Sequence, residues 1–282
     1  MPEQARHAMR KARTRVEVRR AAQRLFAERP FDEVTVADIA AAAEVAVQTV
    51  FNHFATKEDL YFADRVPWVA GPATAVTDRS PGTGAMTTAT AWLVHHVSSV
   101  PLLLRRPSYR TYLETILASP ALRVHQRELL REAEDRLTTA LHRTWAAELG
   151  DVPGLRLGAG MTSGLLVAGA RVVLDEQWRQ LSGVPDGARE LPQLIAELRA
   201  ASRVAIECVH GGFPQAADRA GGSEALRAIL RLEEGRPADE RAARTTRPRM
   251  TRERQESETT GSSTVSTRSA TSASVIGTAK AV

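Results

Sequence analysis

Apolar positions at the start of the chain recur with helical spacing. Val18, Ala21, Ala22, Leu25 and Phe26 fall on one face of a 3.6-residue period, with Arg15, Arg19, Arg20 and Arg24 on the other. The pattern predicts a helix ending at Pro30, where proline removes a donor and clashes with the preceding turn. Thr35 is placed to cap a second helix, with Asp38 three residues on as the capping-box acid. Val36, Ile39, Ala40 and Ala43 form its apolar stripe. A short third helix is expected over about Ala46 to Phe54, with Val47, Val50, Phe51 and Phe54 on one face and Gln48, Thr49, Asn52 and His53 on the other. Thr56-Lys57-Glu58-Asp59 repeats the capping-box pattern and opens a fourth helix, expected over Thr56 to Asp64.

Further along, Val66 to Gly84 carries Pro67, Pro72 and Pro81 among Gly, Thr and Asp, and reads as a connecting loop. Helical patterns follow at about 85–105, 108–118, 120–149, 154–180 and 188–211, punctuated by prolines. No run alternates with period two, so an all-α fold is expected. Glu224 to Glu234 predicts one short amphipathic helix. Beyond Gly235 the sequence is rich in Arg, Glu, Thr and Ser, with too little apolar area to offset about 1–2 kcal/mol of backbone entropy per ordered residue, and disorder is expected.

Charge sharpens the picture at the N-terminus. The net charge is only +5, but residues 1–20 hold seven basic side chains against Glu3 and Glu17. A basic arm directly before paired short helices, the second with a polar face free of acids, is the electrostatic footprint of a DNA-binding element.

The order of residues from 14 to 62 resembles the N-terminal domain of the TetR-type (tetracycline-repressor-like) bacterial transcription regulators. Ala21-Ala22, Leu25-Phe26, Phe31, Thr35 and Ile39-Ala40 carry the resemblance, and Thr49-Val50-Phe51-Asn52-His53-Phe54 with Lys57 and Leu60 is its strongest part. It implies a helix-turn-helix over Val36 to Ala55 and a DNA-binding set of Thr35, Val47, Gln48, Thr49, Phe51, Asn52, His53 and Lys57. Gln48 suits an adenine edge and Val47 a thymine methyl. Thr35, Thr49, His53 and Lys57 are the phosphate contacts the family implies. The family usually has Tyr at position 51 and Gly at positions 30 and 44. Phe51 has no hydroxyl to donate to a phosphate, so packing is its expected role, and Glu44 must form the turn without glycine's freedom.

The resemblance also implies an organisation: a basic arm (1–13), a DNA-binding domain (14–66), a helical ligand-sensing and dimerisation domain (67–213) and a tail (214–282). Homodimerisation is expected through helices 154–180 and 188–211, where Gly158, Gly160, Gly164, Ala168 and Gly169 permit close contact. Trp92, His95, His96, Tyr109, Tyr112, Trp145 and Met161 are the candidates for lining an effector pocket. The partners implied are double-stranded operator DNA, a second copy of the chain and a small-molecule effector.

Other chemistry is weakly represented. Gly158-Ala159-Gly160 and Gly82-Thr83-Gly84 lack the preceding strand of a dinucleotide loop, and hydrolase, zincin and P-loop motifs do not occur, so no enzyme activity and no cofactor is expected. His95-His96 lacks a further ligand at helical spacing, so no metal site is expected. Cys208 is the single cysteine, and its apolar surroundings predict a buried, inert thiol. Residues 1–20 lack the apolar core of a signal peptide, and the run Met161 to Leu174, interrupted by Arg171, falls short of a bilayer span; a cytoplasmic protein without membrane partners is expected.

Together these features predict a homodimeric repressor released from a pseudo-palindromic operator by a ligand. Its alternatives are an activator of the same fold, and a helical ligand-binding or scaffolding protein that has lost DNA binding.

Overall fold

In the computed structural model the described residues are 3–150, 152–219 and 224–233, and among them every regular element is helical. Helix α1 (Glu3–Glu28) is followed by a 3-10 turn (Phe31–Glu33), α2 (Val36–Ala42), α3 (Val47–Phe51) and α4 (Lys57–Phe62). The larger lobe comprises α5 (Pro67–Thr77), α6 (Ala85–Leu103), α7 (Pro107–Ala118), α8 (Pro120–Leu149), α9 (Leu155–Leu181), α10 (Leu191–Arg219) and α11 (Glu224–Glu233). The expected all-α fold is observed. The segment beyond Gly235, expected to be disordered, lies outside the described residues.

The first helix is longer than its apolar stripe. Val18, Ala21, Ala22 and Phe26 are buried as expected, while residues 3–13, read as an arm, continue the same helix outward with their basic side chains exposed. Both capping boxes form. The Thr35 Oγ1 accepts from the Asp38 N–H at 3.1 Å, and the Thr56 Oγ1 from the Asp59 N–H at 3.0 Å. In each, the carboxylate accepts from the capping residue's own N–H, which satisfies two otherwise orphaned donors.

The expected loop over Val66 to Gly84 is corrected by α5. Pro67 occupies the first turn, where a missing N–H costs nothing, and Val69, Pro72 and Val76 are buried at helical spacing. Pro72 forfeits one helical bond, which tertiary burial offsets. Gly71 is required for a different reason than turn formation: a Cβ there would overlap the Trp92 ring of α6. What reads as a breaker is a close-packing device.

Among the described residues three apolar clusters organise the fold. One joins α1 to α4 with Tyr112, Ile116 and Leu122 of α7 and α8, so the core of the N-terminal lobe extends into the larger lobe. A second, around Met86, Leu137, Trp145, Leu166 and Ile206, fills the helical bundle. A third links α6, α9 and α10 through Val100, Leu104, Leu181 and Ile195. Gln177 of α9 ties the bundle across these layers, donating to the Val97 carbonyl at 2.9 Å and to the Ser202 Oγ at 2.6 Å. Helix α11 closes over the bundle: the Glu233 carboxylate accepts from the N–H groups of Met86 and Thr87 at 2.8 and 3.1 Å, and from the Trp145 Nε1 at 3.2 Å. It thus caps the N-terminus of α6, where a negative charge is favoured by the helix dipole.

Two further expectations change. Taken whole, α9 is long and apolar enough to cross a membrane, with a mean hydropathy of 1.5 over its best window, although Met161 to Leu174 alone is too short. Within the fold it packs between α8 and α10, with Ser163 and Gln177 buried as polar cross-links and the Thr162 hydroxyl bonded to the Gly158 carbonyl of its own helix. Cys208 is exposed, not buried, because α10 turns the Ser202–Ile206 side of its surface inward and leaves Val204 and Cys208 outside.

Candidate DNA interface and effector cavity

Helix α3 is set by a small buried anchor. Val50 and Phe54 enter the core formed by Val18, Ala22, Phe26, Ile39 and Leu60. The turn before α3 is a Schellman closure: the Val45 N–H donates to the Ala40 carbonyl at 3.0 Å and the Glu44 N–H to the Ala41 carbonyl at 3.2 Å. Glu44 supplies the left-handed residue this closure needs, at φ 55°. The missing glycine is therefore accommodated by strain.

The sequence-based division of α3 into two faces needs correction. Only Val50 and Phe54 of the apolar set point inward; Val47 and Phe51 are 41% and 45% exposed. The helix is one and a half turns long, too short to bury a four-residue stripe against α1 and α2. Val47, Gln48, Phe51 and Asn52 therefore share an outward surface, with the Gln48 Nε2 donating to the Asn52 Oδ1 at 3.3 Å. Phe51 is a surface residue here, and its expected packing role is set aside. Thr49 and His53 are half-buried at the edges of that surface. Arg15 reaches across from α1, donating to the His53 carbonyl and stacking its guanidinium 4.1 Å over the Phe54 ring. Burial, reinforced by the charges of Lys11 and Arg15, holds the His53 imidazole below the ordinary histidine range.

Thr35 is exposed beside this surface, with its hydroxyl engaged in the cap. Lys57 is not turned toward solvent. Its Nζ donates to the carbonyls of Phe31 at 2.9 Å and Val34 at 3.0 Å, and lies 4.2 Å over the Phe31 ring. The physical reason is the 3-10 turn, whose carbonyls keep spare acceptor capacity: that of Phe31 takes only a long 3.3 Å bond from the Val34 N–H, and the ammonium fills the rest. Lys57 therefore staples α4 to the turn, and its phosphate role is withdrawn.

A cavity of about 330 Å³ lies in the larger lobe, bounded by α4–α9. Of the sequence candidates, His96, Tyr109 and Tyr112 line it. Trp92 lies behind His96, its ring stacked at 5.1 Å. His95 faces a separate groove between α6 and α10, Trp145 is fully buried in the bundle core, and Met161 is exposed on α9. These four are corrected as lining residues. The sequence reading missed Phe62, Arg65, Trp68 and Trp178, along with Arg123 and Arg127 of α8. Their convergence depends on helix packing, and only the break after α4 hinted at it.

The junction between α4 and α5 connects the two sites. Tyr61 is buried, and its hydroxyl donates to the Tyr112 carbonyl at 2.9 Å, with the two rings stacked at 5.3 Å. Arg65 lies with its guanidinium 4.9 Å over the Tyr112 ring. Burial drives the Tyr112 phenol far above the ordinary tyrosine range, so it stays neutral. Asp64, at φ 58°, pairs with Arg19 of α1. Among the described residues no cluster of three or more metal-ligating side chains occurs.

Residues 18–63 match the family of bacterial regulatory proteins described as the tetR family. Among solved structures, a SmeT–triclosan complex is 20% identical over 71% of this chain and 90% of its own, with a TM-score of 0.45. Native NalD, the secondary repressor of the MexAB-OprM multidrug efflux pump in Pseudomonas aeruginosa, is 21% identical over 67% of this chain and 96% of its own, with a TM-score of 0.39. FadR from Bacillus subtilis, in complex with stearoyl-CoA, is 19% identical over 69% of this chain and 96% of its own, with a TM-score of 0.36. No curated protein matches the chain. The matched segment runs from α1 through α4 and includes the turn between α2 and α3.

Proposed function

We propose that the protein is a ligand-responsive repressor that binds a pseudo-palindromic operator as a homodimer and releases it when an effector fills the cavity among α4–α9. The observation that carries this reading is the shared wall: Phe62 and Arg65, directly behind the DNA-reading helices, also line the cavity. A molecule bound there touches the segment that fixes the DNA-binding lobe. An effector shifts the equilibrium only by its differential affinity for the two states, typically about 1–3 kcal/mol of coupling.

DNA recognition is assigned to Val47, Gln48, Phe51 and Asn52 at base edges, with Thr35, Thr49 and His53 beside the phosphates. The exposed apolar pair Val47 and Phe51 suits thymine methyl groups. Dimerisation is assigned to α9 and α10. Leu157, Met161, Leu165 and Val172 of α9 are 67%, 46%, 49% and 58% exposed on one side of that helix. Such a stripe on a cytoplasmic, non-catalytic regulator finds its partner in a second copy. Neither an enzyme activity nor a cofactor belongs to this reading.

The test is a gel-shift series on duplexes tiling the DNA that flanks the protein's own gene, followed by footprinting. A footprint with two half-sites about 34–36 Å apart, or a multiple of that, is expected. A protein that shifts none of these duplexes more tightly than random DNA is not the regulator proposed. A reporter assay separates repressor from activator.

A further inference from the structure

Resting on the ligand-responsive reading above, the balance of charge around the cavity identifies the chemistry of its ligand. Among the described residues, four arginines line it (Arg65, Arg123, Arg127 and Arg171) against a single carboxylate, Asp175. Asp175 is already committed, since it pairs with Arg171 one helical turn away at 3.1 Å. Arg65, Arg123 and Arg127 make no ion pair among the described residues. The remaining titratable base, His96, is held below the ordinary histidine range by burial and by its neighbour His95, so it adds no charge at neutral pH. The rest of the lining is apolar or aromatic, with Trp68, Leu93, Ile116, Leu130 and Trp178 supplying the body of the site.

We propose that the cavity binds a lipophilic organic anion, its apolar body among the tryptophans and leucines and its acid head on the Arg65, Arg123 and Arg127 group. An ammonium ligand meets three uncompensated like charges there, and a neutral ligand of the same shape leaves those guanidinium groups without an anionic partner. The volume of about 330 Å³ lies at the small end of the range for drug-sized ligands, which fits a compact acid. Arg65 gives the head group a direct mechanical consequence. Its guanidinium rests on Tyr112, and it follows Asp64, which holds α1 through Arg19. An acid that draws Arg65 toward itself loads the junction that orients the DNA-binding lobe.

The experiment uses the full chain and two matched probe sets: decanoate, decanol and decylamine, and 2-naphthoate, 2-naphthol and 2-naphthylmethylamine. Binding is read by calorimetry and by the fluorescence of the tryptophans, two of which, Trp68 and Trp178, line the site. The acid of at least one set is expected to bind about tenfold or more tightly than its alcohol and its amine. Arg65→Gln, and separately the double change Arg123→Gln with Arg127→Gln on the exposed rim, should remove most of that preference while leaving the alcohol's affinity in place. Arg65→Lys, which keeps the charge, should retain it. If the amines or alcohols bind as well as the acids, or if no acid binds at millimolar concentration, the assignment is overturned. Adding operator duplex distinguishes this inference from the reading beneath it. Acid binding that leaves DNA affinity unchanged supports the anion site and sinks the gated repressor; release of DNA by alcohol and acid alike does the reverse.

Discussion

Tyr61 of α4 and Tyr112 of α7 form a direct link between the N-terminal lobe and the cavity among α4–α9: the Tyr61 hydroxyl donates to the Tyr112 carbonyl at 2.9 Å, and the two rings lie stacked within 11° of parallel. Tyr112 lines the cavity, whereas Tyr61 sits in the same apolar core as Phe26 and Phe31. A ligand that displaces α7 by a fraction of an ångström must break or carry this bond.

Tyr61→Phe keeps the stacked ring and deletes only the donor. Loss of one buried hydrogen bond, from a carbonyl that keeps its own place in the α7 ladder, should lower stability by about 1 kcal/mol. Operator affinity without ligand should change little, whereas ligand-dependent release should weaken. The measurement is operator binding with and without effector, alongside a denaturation curve. An unaltered ratio of the two affinities would mean that coupling bypasses this pair.

Glu44 predicts the opposite sign. It holds φ at 55° to complete the closure after α2, a conformation costing a non-glycine residue about 1–2 kcal/mol. Its side chain is exposed. Glu44→Gly should therefore raise stability by roughly 1 kcal/mol, after allowing for glycine's greater freedom in the unfolded chain. A lower midpoint in urea would show that the carboxylate has a role beyond filling the turn.

These two residues mark what sequence reading can reach. The turn at 41–46, both capping boxes and the buried face of α1 were legible because each is settled within one or two helical turns. Helix α5 was not, since Pro67, Gly71 and Pro72 are breakers in isolation and only the Trp92 ring explains the glycine. The position of Lys57 is illegible for a similar reason: the carbonyls that capture it belong to a turn 23 to 26 residues earlier. Val47 and Phe51 followed helical periodicity correctly, but α3 is too short to bury both ends of the stripe. The arginines around the cavity lie on separate helices, and no local pattern records their meeting.

Lys57→Met tests the staple. It removes two hydrogen bonds to backbone carbonyls and the ammonium over Phe31, leaving the Val34 carbonyl unsatisfied and the Phe31 carbonyl with only the Val34 N–H at 3.3 Å. A loss of about 2 kcal/mol in stability is expected, while the dependence of DNA affinity on salt stays that of the parent. If stability is unchanged and the salt slope falls by about one contact per protomer, Lys57 is a phosphate ligand after all.

His96 makes stability depend on pH in a defined direction. Burial, and secondarily the charge of His95, lowers its folded-state value below 6.5. The unfolded chain then binds more protons than the folded one in the region just below 6.5, so stability is full above that pH and declines as the pH falls through it. His53, shifted the same way by burial, Lys11 and Arg15, adds a contribution of the same sign. His96→Leu should flatten the decline between about pH 7 and 5 without abolishing it. Denaturation midpoints of the two proteins across that range check this, and parallel curves would exclude His96 as a source.

Gln48 carries the base-reading hypothesis. It is exposed on α3, and its amide donates only a long bond of 3.3 Å to Asn52, which a purine edge can replace. Glutamine pairs bidentately with adenine N6 and N7 in the major groove, with no equivalent geometry for the other bases. Gln48→Ala should thus cost about 1–3 kcal/mol on the preferred operator and nothing on random DNA, relaxing discrimination at one position in each half-site. Asn52→Ala separates positioning from reading: if the Asn52 amide merely orients Gln48, its loss weakens the same base position and no other. Binding selections with randomised duplexes report both outcomes. Should the Gln48→Ala protein recover the parental operator preference unchanged, base discrimination must come from Val47, Phe51 and the deformability of the site, and Gln48 is only a surface residue.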